Sequence, residues 1–226
     1  MPYVSEVAGI PLVDGVLSHL GRLGAGLLVT VELTAASFAG AMVLGTLLAI
    51  MRIVPVPLLR LCAAIYVQFM RNTPLLVLLV LFVFGLPEIG ILYDLFWTVT
   101  TAMAMYGAAL VAETIRSGIR TVPLGEAEAA RALGMTTARS LRHVILPRAF
   151  RSMVQPLGNI FIAIALSSSL AAAVGVTELT GETDLINLEF ADAGPTFLVS
   201  TALYLILTLS IGFVTGLLEK KVAVER

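Results

Sequence analysis

The sequence predicts an all-α polytopic membrane protein of about five transmembrane helices, forming one domain over residues 1–226. Three observations predict it. Hydrophobic residues make up 58% of the chain and charged residues 13%, with a mean hydropathy of +0.99; a soluble domain carries about 25% charged residues. Apolar stretches recur along the chain, each near the roughly 20 residues that a bilayer core requires. Lys and Arg gather on alternate connections between those stretches.

The first span is 24–51, "GAGLLVTVELTAASFAGAMVLGTLLAIM". Residues 1–23 before it lack a basic start and hold the acids Glu6 and Asp14. That makes a poor signal peptide, so the first span is expected to be an uncleaved anchor. Within it Thr30, Thr34, Ser37, Ala41 and Gly45 recur every three or four residues, a stripe that reads as helix packing. The second span, 58–86, is interrupted by "RNTP" at 71–74, and residues 58–70 either span or lie at the interface. The third is 96–119, where Trp97 shortly after Asp94 suits an interfacial anchor. The fourth is 157–176, opened by Pro156, a favoured first helical residue. The fifth is 195–218.

Orientation follows from the basic residues. With five spans, the N-terminus and the 87–95 and 177–194 loops share one side, which holds Arg22 as its one basic residue; the 177–194 loop has five acids and no base. The other side holds Arg52, Arg60, the arginines of 116–151, Lys220, Lys221 and Arg226. The N-terminus is therefore expected outside and the C-terminus in the cytoplasm, with a cytoplasmic loop at 120–150.

Several function classes fall away. A net charge of −1 makes no case for nucleic acid. The single Cys62 excludes an internal disulfide and reads as a core residue; His19 and His143 read as interfacial or surface positions, so no metal site is predicted. No catalytic residue is predicted, because no nucleophile–base pair lies in a span. No "GxxxxGK[ST]" phosphate loop occurs, so any ATP would bind elsewhere.

The polar stretch "GEAEAARALGMTTARSLRHVILPRAF" (125–150) stands out in this chain. Ala-rich 126–133 favours helix, and Glu126 and Glu128 near its start suit the helix dipole. Gly134 is a natural C-terminal stop. Thr136 or Thr137 can cap a second helix running to about Leu146, which Pro147 then closes or kinks. Ala129, Ala130 and Ala132 would give the first helix a small-faced surface. A solvated loop and a docking element are both compatible with these residues.

The run Glu128-Ala129-Ala130, Gly134 and Val144 to Pro147 resembles the EAA loop of ABC-importer permeases, with Val144 where Ile is usual. "MRNTPLLVLLVLFVFGLP" (70–87), "YGAALVAETIRSGIRTVPLGEAEAARALGM" (106–135) and "ILPRAFRSMVQPLGNIFIAIALSSSL" (145–170) resemble segments of the polar amino-acid permeases, for histidine, glutamine, glutamate, arginine and similar solutes. The resemblance implies a type I importer permease. It also implies that Glu128, Ala129, Ala130 and Gly134 belong to a coupling helix seated on a cytoplasmic ABC ATPase dimer, which binds ATP and Mg; Glu126 and Leu133, on the same stretch, are expected to share that ATPase-coupling site. Further implied partners are a second permease subunit and an extracytoplasmic solute-binding protein, in the cytoplasmic (inner) membrane of a bacterium.

Polar residues inside spans are the candidates for the translocation path, the ionisable ones first, because an ionisable side chain costs roughly 2.5–3.5 kcal/mol at a helix centre. They are Glu32, Arg71, Asn72, Thr73, Asn159, Ser167, Ser168 and Ser169. Structural roles stand beside the path role for each: an interfacial position for Glu32, an anchor for 71–73, and interhelical hydrogen bonding for Asn159 and the serines. Glu113 has Arg116 three residues on, which reads as a local ion pair. Where relatives carry Lys-Asp-Thr-Ser, this chain has Leu166-Ser167-Ser168-Ser169, so charges used there would come from a non-identical second subunit; this favours a heterodimer. A glutamate- or glutamine-type solute is preferred. The competing reading is an ion-coupled secondary transporter using Glu32 and Glu113.

Overall fold

The computed structural model describes residues 12–191 and 193–222, with residues 12–18, 124, 127, 137, 138 and 193 as backbone only. The acids Glu6 and Asp192 and the basic Arg226 lie outside the described residues, and of Asp14 only the backbone is described. The described elements are helical. They are α1 (Leu12–Ile53), α2 (Pro57–Asn72), α3 (Leu75–Val80, continued by a π turn Leu81–Gly85 and by Leu86–Glu88), α4 (Leu95–Arg120), α5 (Leu124–Ala132), α6 (Thr137–Ser140), α7 (Leu146–Ser167), α8 (Leu179–Phe190) and α9 (Ala193–Val222). A π turn, Leu141–Ile145, joins α6 to α7, and a 3₁₀ segment, Ser168–Val174, extends α7.

Among the described residues four helices are long and apolar enough to cross a membrane, and α2 with α3 makes a fifth unit bent by 104°. The bend falls at the "RNTP" interruption. Thr73 precedes Pro74 and is held extended (φ −100°, ψ 128°), as the proline ring requires of its neighbour. Asn72 and Thr73 cap the end of α2: the Asn72 amide donates to the Gln68 carbonyl at 2.7 Å and the Thr73 hydroxyl to Phe69 at 2.9 Å.

Two prolines do not act as their local context suggests. Pro156 lies inside α7, not at its start, and Pro147 stands in the first turn of α7 instead of closing a helix. The π turn at 141–145 absorbs the missing amide of Pro147 by widening the helix, so 141–174 runs on as one continuous helical stretch. The 177–194 connection is largely helix α8, not a loop: Leu179 and Ile186 are buried with Leu23 of α1, giving the acidic stretch an apolar inner face.

The centre of the fold is the pairing of α1 with α4. Thr30, Thr34, Ser37, Ala41 and Gly45 are all buried, as the packing stripe predicts. A Cβ on Gly45 would lie 2.6 Å from Val111 Cβ and 2.8 Å from the Ala108 carbonyl; one on Gly107 would lie 2.9 Å from Ala41. In lipid, where burial of oil gives no driving force, such close backbone approach is what holds helices together. Gly45→Leu is therefore expected to lower stability by about 3 kcal/mol through overpacking, read as a drop in melting temperature in detergent. An unchanged melt would count against this contact.

Two single residues depart from expectation. Cys62 is exposed, because α2 buries the face of Ala63, Val67 and Met70 and turns Cys62 away from it. His19 is buried, not interfacial, with its ring 4.5 Å from that of Phe190. His143 is exposed as expected.

Candidate functional site

The EAA segment is a compact two-helix device. Pro123 launches α5, placing Glu126 in its first turn and Glu128 one position beyond. At the other end Gly134 adopts φ +77°. Its N–H donates to the Arg131 carbonyl at 2.9 Å, and the Met135 N–H donates to Ala130 at 3.1 Å. This pair of bonds is the Schellman termination, in which a left-handed residue lets the chain satisfy the last carbonyls. Thr136 then caps α6, its hydroxyl accepting from the Arg139 N–H at 3.4 Å. An ion pair between Arg148 and Glu126 ties α5 to the start of α7.

The segment presents a defined face. Glu128, Ala129, Ala132 and Gly134 are exposed, and Leu133 is 81% exposed. Ala130 is different. It is 4% exposed and so packs within the chain instead of offering a small outer surface. The helix that carries it, α5, lies against the 141–145 turn.

A charged cluster lies between α1, α2 and α4. Glu113 accepts from Arg52 at 2.6 Å and from Arg116, and Arg71 approaches to 3.9 Å. The local Glu113–Arg116 pair is thus present, and two further arginines, 61 and 42 residues away in sequence, complete it. The helix break after Asn72 delivers Arg71 to this cluster.

The other path candidates divide by exposure. Glu32 and Asn159 are exposed, and among the described residues neither has a hydrogen bond or ion pair. Asn72 and Thr73 line a shallow groove on α2 with Ile65, Gln68 and Phe69. Ser168 is buried and Ser169 half-buried, and both spend their hydroxyls on carbonyls of their own helix, Ala165 and Leu166, each at 2.8 Å. Ser167 is half-buried beside Tyr106 in a small internal cavity. The structure does not gather these residues into one site within a single chain.

A carboxylate that sequence reasoning did not single out is the most enclosed. Glu178 has no exposed surface. It accepts from Tyr204 at 2.6 Å, from Thr30 at 3.1 Å and from the N–H groups of Thr180 and Gly181 at 2.9 and 3.0 Å. It thereby caps α8 and joins that helix to α1 and α9. Outside it, Arg22 pairs with Glu182 at 3.0 Å and Glu189 at 2.7 Å. An acid immediately before a helix is a legible cap, and a lone arginine opposite five acids invites pairing. Glu178→Ala is expected to cost about 3 kcal/mol by stranding several buried donors, while Glu178→Gln, which keeps an acceptor, loses less. Equal melting of the two variants would contradict the capping role.

The architecture is that of a helical membrane protein, with the α5–α6 segment standing between its third and fourth candidate spans. Residues 41–224 match the model of the family described as binding-protein-dependent transport system inner membrane component. The chain belongs to that family. It is 36% identical to the probable glutamine ABC transporter permease protein GlnM of Bacillus subtilis (strain 168), over 82% of this chain and 86% of that one. It is 35% identical to the glutamate transport system permease protein GluC of Corynebacterium efficiens, over 88% and 92%. Among solved structures it is similar to an amino acid ABC transporter crystallised with histidines (TM-score 0.88, 31% identity, 94% of this chain and 99% of that one). The MetNI methionine ABC transporter shares the fold (TM-score 0.76, 23% identity, 92% and 99%). The resemblance to the permeases of amino-acid ABC importers is borne out.

Proposed function

We propose that this chain is the membrane-spanning permease subunit of an ATP-driven amino-acid importer, and that it couples to a cytoplasmic ABC ATPase dimer through Glu126–Gly134. The observation that carries the coupling is the rigid α5–Gly134–α6 turn with Leu133 standing out from it. Leu133 is the apolar knob for a groove on the ATPase, and Glu128, Ala129 and Gly134 form the surface around it. Glu126 and Ala130 hold the device in shape, through Arg148 and through packing. ATP and Mg bind on the ATPase, and this chain itself is non-catalytic.

The translocation path forms between this chain and a second permease subunit, with a heterodimer favoured. Glu32, Arg71, Asn72 and Asn159 are the residues of this chain best exposed to contribute, while Thr73 and Ser167–Ser169 shape the helices behind them. Solute arrives on an extracytoplasmic binding protein at the 87–95 turn and α8. The distribution of basic residues supports an outside N-terminus and a cytoplasmic C-terminus, in a bacterial inner membrane. A glutamate- or glutamine-type solute is supported by the relatives named for glutamine and glutamate transport.

The test is reconstitution with the ATPase, the second permease and the binding protein. ATP-dependent uptake of glutamate or glutamine is expected. Uptake driven by an ion gradient without ATP would instead favour a secondary transporter using Glu32 and Glu113. Against that reading, Glu113 is already committed to three guanidinium groups.

A further inference from the structure

A groove of about 500 Å³ opens between α1, α7 and the C-terminal half of α9. Phe38 and Met42 of α1, Val154 and Phe161 of α7, and Val214 and Leu218 of α9 form its walls. Phe38 and Phe161 stack with ring centroids 4.4 Å apart, which gives one wall a flat aromatic surface. The hydroxyls along it are spent on their own helix: Ser210 donates to the Ile206 carbonyl at 2.7 Å and Thr215 to Ile211 at 2.8 Å. Its walls therefore offer apolar contact. From Ser210 to Val222 the groove follows α9 for about 18 Å at 1.5 Å per residue, close to the ~15 Å of one leaflet of a bilayer core.

One end of the groove is basic. Arg151 stands seven residues, about two turns, before Gly158, and so lies on the side of α7 that meets Thr215 of α9. Lys221 stands seven residues after Val214, on the same side of α9 as the groove wall. Both side chains are exposed, and among the described residues neither has a hydrogen bond or ion pair. Arg148, one turn before Arg151, is already engaged by Glu126. An apolar channel one leaflet long, with two unpaired cations set beside one end by helical register, suits an anion that carries a hydrocarbon tail.

We propose that this groove seats one acyl chain of an anionic phospholipid, with Arg151 and Lys221 holding the headgroup phosphate. On the orientation proposed above, the lipid comes from the cytoplasmic leaflet. A zwitterionic lipid fits the groove but brings a cation of its own to the two basic side chains. Anionic lipid is therefore preferred.

The test uses the assembled transporter, purified in detergent and examined by native mass spectrometry with added phosphatidylglycerol or phosphatidylethanolamine. Wild type is expected to retain one phosphatidylglycerol per copy of this chain in preference to phosphatidylethanolamine. Arg151→Gln with Lys221→Gln should weaken that retention by about thirtyfold. Val214→Trp, which fills the groove and touches no charge, should displace the lipid as well. Equal retention of the two lipids, or retention unchanged by both variants, overturns the proposal. So does a disulfide between Val214→Cys, in a Cys62→Ser background, and a cysteine on the second permease subunit, because a protein helix would then cover the groove.

Discussion

Gly134→Pro is expected to abolish solute uptake while the chain still inserts and assembles with its second permease. Proline fixes φ near −65° where the turn holds +77°, and it removes the N–H that donates to Arg131. The mismatch costs about 3 kcal/mol or more, enough to leave the α5–α6 turn unformed in nearly all molecules. Gly134→Asn, which tolerates the left-handed conformation, should retain most activity. Leu133→Asp should leave the turn intact and lose the ATPase: burying a leucine in a partner is worth about 1.5–3 kcal/mol, so binding falls by roughly tenfold or more. Co-purification of the ATPase and ATP-driven uptake read all three. Normal uptake by Gly134→Pro would refute the coupling role of this turn.

Glu113→Leu carries the second large effect. It leaves Arg52, Arg71 and Arg116 close together with no carboxylate between them. Loss of the charge-assisted hydrogen bonds, discounted for the cluster's partial exposure, amounts to about 2 kcal/mol. The like-charge repulsion adds to it. The melting temperature in detergent should fall, and Glu113→Leu with Arg116→Leu should recover part of the loss by removing one of the stranded cations. A melt unchanged in Glu113→Leu would contradict the clamp. Uptake by the double variant under ATP would separate Glu113 from ion coupling.

Much of the fold was legible because membrane spans and helix ends are local signals. The α1 stripe from Thr30 to Gly45, the break at Pro74 and the stop at Gly134 each follow from residue size or backbone freedom within a few positions. The misread features depend on partners distant in sequence. Pro156 reads as a helix start until the preceding turns of α7 are seen to run through it. The 177–194 stretch reads as an acidic loop until Leu179 and Ile186 find Leu23. Cys62 and Ala130 show the same limit: which face of a short helix is buried is decided by what packs on it. For the candidate site, the resemblance to the EAA loop is what marks Glu126 to Gly134 as a candidate coupling element. The separate roles of Ala130 inside and Leu133 outside needed the three-dimensional turn. Glu178 was passed over because its burial comes from Thr30 and Tyr204, 148 and 26 residues away.

In the coupling proposed above, Leu133 stands at the contact between this permease and its ATPase. The most direct test of that contact is maleimide labelling of Leu133→Cys, in a Cys62→Ser background, in inverted and right-side-out membrane vesicles with and without the ATPase. Labelling by an impermeant reagent is expected in inverted vesicles alone, with protection when the ATPase is bound. Labelling in right-side-out vesicles, or labelling indifferent to the ATPase, would contradict it.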